Sequence, residues 1–187
     1  MAAHGTTDWS TRRADPMGGA SLESRTSGKD TMASATLRMP MQTASGNRIE
    51  PYVSATWQKV ERDDTTERGS SVAALSLDKL SETGTRVLAG VMLGSKAADP
   101  LASTLTWRAG VAVGADTGNL LDPTVHDTMA GQRFDTAAPG VGRGFVQVNA
   151  NGTMRLAKST YVYGGLTAEE GSGRSAYGVT AGVRVAF

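Results

Sequence analysis

Asp116-Thr117-Gly118 is the stretch that most resembles chemistry. The same triplet occurs in aspartic proteases, where a second carboxylate must share a proton with the first. No second Asp-Thr-Gly exists in this chain, and this one sits where an alternating stretch runs out into a long connection. Gly140-Val141-Gly142-Arg143-Gly144 is glycine-rich, but it precedes a predicted strand and joins no strand to a helix, so phosphate cradling is excluded. His4 and His126 are the only histidines, one near the N-terminus and one in a predicted loop. No metal set or triad can be assembled around them. Asn151-Gly152-Thr153 spells a glycosylation sequon inside a predicted strand and is read as chance. With no cysteine, thiolate chemistry and a disulfide scaffold are both ruled out. The residues predict no catalytic, cofactor or metal site.

The elements that would have to position such residues are strands throughout. The 187 residues are enough for one domain with a sizeable core, and a net charge of +1 gives no reason to expect nucleic acid. No run approaches the ~20 apolar residues of a transmembrane helix. A mean hydropathy of −0.25 would normally indicate a soluble protein. That inference fails for β-barrels, whose strands alternate lipid-facing and lumen-facing residues. The first 16 residues, "MAAHGTTDWSTRRADP", have no apolar core of a signal peptide and are expected to be poorly ordered.

From Met17 onward about nine strand candidates fall near 17–26, 31–41, 48–60, 71–79, 85–96, 101–115, 142–156, 160–169 and 174–187. Several exceed the five or six residues typical of soluble sheets and approach the roughly nine to eleven of a tilted membrane strand. Alternation is clean. Val146, Val148, Ala150, Met154 and Leu156 oppose Arg143, Phe145, Gln147, Asn149, Asn151 and Arg155. Leu101, Ser103, Leu105, Trp107, Val111 and Val113 oppose Thr104, Thr106, Arg108 and Gly110, while Val87, Val91 and Leu93 oppose Arg86 and Lys96. Ile49, Pro51, Val53 and Trp57 oppose Glu50, Tyr52 and Gln58.

Charges within strands fall on the non-apolar face: Glu23, Arg25, Arg38, Glu50, Asp78, Arg86, Arg108, Arg143, Arg155 and Arg184. A lipid-face Arg or Lys near midplane costs about 2–4 kcal/mol, and that penalty predicts this confinement. A soluble sheet with one wet face would also collect charges there. Trp57, Tyr177 and Phe187 suit interfacial aromatic girdles. The short "AKS" (157–159) reads as a periplasmic turn and the long 116–142 stretch as an external loop. The charged "ERDDTTERG" (61–69) is expected to be a solvated periplasmic turn.

The final stretch, "YGVTAGVRVAF", sets Tyr177, Val179, Val183, Val185 and Phe187 on one face and ends in Phe187. It resembles the terminal strand of bacterial outer-membrane proteins. Together with "NRIEPYVSATWQKV", "TERGSSVAALSLD", "TLTWRAGVAVGAD", "AGQRFDTAAPGVGRGFVQVNANGTMRL" and "STYVYGGLTAEEG", in that order, the chain resembles the C-terminal translocator β-domain of type V autotransporters over residues 17–187. The resemblance implies an all-β fold, an antiparallel up-and-down transmembrane β-barrel, with about nine strands readable of roughly twelve. The remaining strands, the pore helix and the passenger are expected upstream in a longer precursor.

The resemblance also implies a non-catalytic role: anchoring and exporting a covalently linked passenger in the outer membrane of a Gram-negative bacterium. Its implied partners are outer-membrane lipid, the barrel-assembly machinery and the passenger. Glu50, Arg86, Arg108, Arg143, Arg155 and Arg184 would face the lumen, and Tyr177, Val183, Val185 and Phe187 would form the assembly signal. The lumenal charges would pair with one another or touch the translocating chain. Two readings compete: a self-contained adhesin or porin-like barrel, and a soluble β-sandwich binding module, which would need no detergent.

Overall fold

The computed structural model describes residues 1–69, 71–95, 105–138 and 140–185. Among these no residue is helical. The strands are β1 (Ala2–Arg13), β2 (Leu22–Arg38), β3 (Met41–Gln42), β4 (Arg48–Arg62), β5 (Thr65–Thr66), β6 (Leu75–Leu77) and β7 (Leu80–Gly94). They continue with β8 (Leu105–Gly118), β9 (Thr124–Met129), β10 (Gln132–Ala137), β11 (Gly144–Ala157), β12 (Thr160–Gly171) and β13 (Arg174–Val185).

The long strands form one sheet in the order β1-β2-β4-β7-β8-β11-β12-β13, with β3 attached to β4. Every long strand thus lies beside its neighbour in sequence, the antiparallel up-and-down arrangement expected. A second, four-stranded sheet runs β10-β9-β6-β5. The chain divides into two compact units. Unit 1 is Met1–Ser34, Thr56–Thr85 and Thr117–Gly140; unit 2 is Ala35–Ala55, Arg86–Asp116 and Val141–Phe187.

Several boundaries differ from the sequence reading. Residues 2–13, expected to be poorly ordered, pair continuously with 22–33 as β1. Backbone hydrogen bonding to a neighbouring strand orders a segment whatever its polarity, and composition alone hides that. The candidates near 17–26 and 31–41 are one uninterrupted strand, β2. Gly28 between them marks the place where the Trp9 ring lies against the backbone. Of 71–79 only Leu75–Leu77 is a strand, and it belongs to the small sheet.

The long 116–142 connection carries the β9–β10 hairpin, closed by a two-residue turn in which Ala130 and Gly131 both have positive φ (53° and 75°). The periplasmic assignment of 61–69 and the external assignment of 116–142 cannot both hold, by strand parity. Residues 75–77 pair with 127–129 of that same long connection, so the two stretches lie on one side. Predictions concerning Lys96, Leu101, Ser103, Thr104 and Phe187 lie outside the described residues.

Unit 1 buries Leu22 and Ala73 together with Ser24, Thr65 and Asp127. Unit 2 leaves far more of its large apolar side chains exposed. Along β8 the buried positions are Thr106, Ala112 and Asp116, while Leu105, Trp107, Val111 and Val113 are exposed. Along β11 Phe145 is buried, and Val146, Val148, Met154 and Leu156 are exposed. The alternation read from the sequence is present, with its apolar side outward.

Candidate functional site

The less exposed face of unit 2 holds two clusters of charge. The first is built from β7, β8, β11, β12 and β13. Arg86 donates from Nε and Nη2 to the two carboxylate oxygens of Asp116, both at 2.9 Å, and from Nη1 to Glu169 at 3.0 Å. Arg174 donates to Asp116 at 2.6 Å and lies 3.3 Å from Glu169. Two cations thus share two carboxylates, and the quartet is formally neutral.

Both guanidinium groups lie over the ring of Phe145, 4.5 and 4.4 Å from its centroid. Planar Arg cations favour that position on an aromatic face. The ring has room because Gly114 is its cross-strand partner, and a Cβ there would collide with it. This geometry disposes of the protease reading of Asp116. Its carboxylate is fully engaged by arginines, and the glycine two residues on is required by φ of +89° and the close Thr83 carbonyl.

The second cluster centres on Glu50, only 2% exposed. Arg38 and Arg108 approach one carboxylate oxygen at 3.3 and 3.0 Å, and Arg48 lies 2.7 Å from the other. The Arg48 contact is an ion pair outside hydrogen-bonding geometry, since that oxygen has no hydrogen-bond donor. Three cations around one anion leave a formal surplus of two positive charges. A pocket of about 260 Å³ opens here, bordered by Arg48, Glu50, Arg108, Thr106, Asn151 and Thr153 among others. Such a recess can accept acceptor-rich groups through forked guanidinium donors.

The expected lumenal residues therefore separate. Glu50 and Arg108 come together, and Arg86 belongs to the other cluster. Arg143 stands just before β11, where its carbonyl accepts the Asp116 N–H at 2.9 Å. Arg155 donates to the carbonyls of Ala157 and Lys158, so it closes the β11–β12 turn. Arg184 lines a recess with Asn151, Tyr161, Tyr163 and Thr180. Of the assembly-signal residues, Tyr177, Val183 and Val185 lie exposed on β13, and Phe187 is outside the described residues.

Sequence reasoning missed Asp116, Glu169, Arg174 and Arg48 as site residues. One signal was available: Phe145 is a lone aromatic among polar residues on its face of β11. His126 lies 2.6 Å from Asp135 and His4 2.9 Å from the Thr31 hydroxyl. Among the described residues no group of three potential metal ligands occurs.

Comparison with known proteins agrees with the fold. The family model described as autotransporter beta-domain matches residues 1–167, starting well before residue 17 and stopping short of β13. No curated protein matches the chain.

Proposed function

The chain belongs to the autotransporter β-domain family, whose domains are outer-membrane translocators of Gram-negative bacteria, and on that premise we propose that it anchors and exports a passenger linked to it in one precursor. The observation that carries this reading is the reversed burial of unit 2. Val111, Val146, Val148, Leu166, Val179 and Val183 are 46–75% exposed, whereas Glu50 and Asp116 are 2% and 6% exposed. In water that arrangement forgoes the hydrophobic gain of about 25 cal/mol per Å² and buries charge as well. In lipid both features are favourable. The same observation counts against a soluble β-sandwich.

In this reading the Glu50 cluster, Arg86, Arg143, Arg155 and Arg184 line a polar interior through which the passenger's linker passes. The surplus positive charge at Glu50 offers that linker a polar contact, while the neutral quartet ties strands together. Strands β1 and β13 stand at the two ends of the sheet order and are exposed almost throughout, so each can accept a further strand of the precursor. Tyr177, Val183, Val185 and Phe187 form the strand presented to the barrel-assembly machinery.

Export is tested by protease treatment of intact cells carrying the precursor. A passenger that becomes accessible only when this domain is assembled supports the reading; one that stays protected beside an assembled domain overturns it. For the assembly signal, deletion of Phe187 is expected to lower outer-membrane protein far more than it lowers refolding in detergent. Equal losses would reduce Phe187 to a stability residue.

A further inference from the structure

The hairpin in unit 1 leaves one strand edge with a pattern that neither the family nor the export reading uses. β10 is the end strand of the four-stranded sheet, and all six of its residues are exposed. Its inner edge is fixed by the hairpin. A two-residue turn makes Met129 and Gln132 the closing hydrogen-bonded pair, so Gln132, Phe134 and Thr136 direct their backbone groups to β9. Two further bonds agree: the Ala138 N–H donates to Pro123 and the Asp78 N–H to His126. The backbone groups of Arg133, Asp135 and Ala137 therefore point outward. Among the described residues no strand pairs with that edge.

We propose that β10 docks on β10 of a second copy of this chain, antiparallel, about a two-fold axis through Phe134. The argument is one of charge register. Only odd-numbered residues present outward backbone groups, so the axis can fall at 133, 134 or 135, or further along. Centred on Phe134, Arg133 faces Asp135 of the second copy at both ends, Gln132 faces Thr136, and Phe134 faces Phe134. The Arg–Asp pairs exchange both backbone hydrogen bonds. The Phe pair occupies the non-hydrogen-bonded site, where side chains lie closest. Moving the axis by one residue either way sets Arg133 against Arg133 or Asp135 against Asp135.

Charges on an edge strand usually discourage pairing. Here their alternation discourages every nearby register but one. The present partners of these groups are surface pairs, Arg133 with Asp78 at 3.2 Å and Asp135 with His126 at 2.6 Å, all at least 44% exposed. Such pairs exchange readily for contacts across a strand.

The test uses the full chain refolded in detergent micelles. Because the native sequence has no cysteine, Phe134→Cys reports docking as a disulfide dimer on a non-reducing gel, with Val72→Cys as the collision control. In that background Arg133→Asp and Asp135→Arg should each lower dimer about tenfold, since each makes both facing pairs like-charged. Mixing the two variants should restore it, because every facing pair is again Asp against Arg. Heat-modifiable mobility confirms that both variants are folded. Dimer no more abundant than for Val72→Cys, insensitive to either reversal, or not restored on mixing would each overturn the proposal. Monomers that capture an extended passenger segment instead would do the same.

Discussion

Unit 1 and unit 2 use the same alternating strands and differ in how much apolar surface they leave outside. Unit 1 leaves fewer large apolar side chains outside, Val72 and Phe134 among them. Leu22 is fully buried with Gly69 packed beneath it, and Arg12 meets Glu23 with both side chains more than 60% exposed. Its own small sheet is made of strands of two to six residues. In unit 2 the strands β11, β12 and β13, of 12 to 14 residues, and the adjoining parts of β4, β7 and β8 turn valines and leucines outward and set Glu50 and Asp116 among arginines. Period two shows that a strand has two unlike faces; it does not show which face is outside. The solvent decides that, and in the proposed reading the exposed apolar face of unit 2 meets lipid.

The contrast is broken most directly by placing a charge on each exposed apolar surface. Val72 in unit 1 and Val111 in unit 2 are both outward, 70% and 46% exposed. Val111→Arg, and likewise Val183→Arg, should cost about 2–4 kcal/mol in urea unfolding from lipid vesicles, the cost of a cation near the bilayer midplane. Val72→Arg should stay within about 0.5 kcal/mol, as for an ordinary surface substitution. Equal effects at Val72 and Val111 would mean that both units face the same medium.

A second test works from the inside. Glu50→Gln removes the one anion among Arg38, Arg48 and Arg108. Breaking a buried pair costs about 3–5 kcal/mol, and here about 2 is expected because the three arginines remain 39–55% exposed. Arg108→Leu relieves repulsion as it removes attraction and should cost less than about 1 kcal/mol, as should Arg184→Leu. Thus Arg108→Leu should be milder than Val111→Arg three residues along the same strand. The reverse order, read from the same unfolding curves, would exchange the assigned faces.

These comparisons also show which parts of the molecule were readable in one dimension. The two unlike faces of β4, β7, β8, β11 and β13 follow from alternation alone, because each is long enough to repeat its pattern many times, while β12 was legible only as a strand. β1 was not legible. "AAHGTTDWSTRR" has no apolar period, and its order comes from pairing with 22–33. β9 and β10 were hidden because a six-residue strand with a positive-φ Ala in its turn gives little signal between Gly and Pro. Glu50 and Arg108 could be named as inward charges, but their contact joins residues 58 apart. Asp116 drew notice for the wrong chemistry. Its partners Arg86 and Arg174 become visible only when the β11–β12–β13 register sets Glu169 opposite Ala176 and Arg174 opposite Gly171.

The smallest expected effect concerns acid, and it lies wholly within unit 1. Glu67 accepts Arg13 at 2.7 and 2.6 Å and the Leu75 N–H at 2.8 Å, and the Arg13 hydrogen bonds hold its carboxyl below the usual range. Asp15 is lowered in the same way, first by the Met17 N–H and also by the Ser71 hydroxyl. A carboxyl whose pKa is depressed by folding stabilises fully above its unfolded value, about 4 for these side chains. That contribution disappears as pH falls through the lower folded value. The contacts they hold, Arg68 against Glu23 and Leu75 against Glu67, should therefore loosen progressively below about pH 4. Amide protection factors at Arg68 and Leu75 between pH 6 and 3 would record this loosening. Glu67→Gln should start from lower protection and show a flatter profile, because the remaining titration belongs to Asp15. If the native profile is flat, or the variant falls as steeply as the native chain, these carboxylates do not secure the connection between β4 and β7.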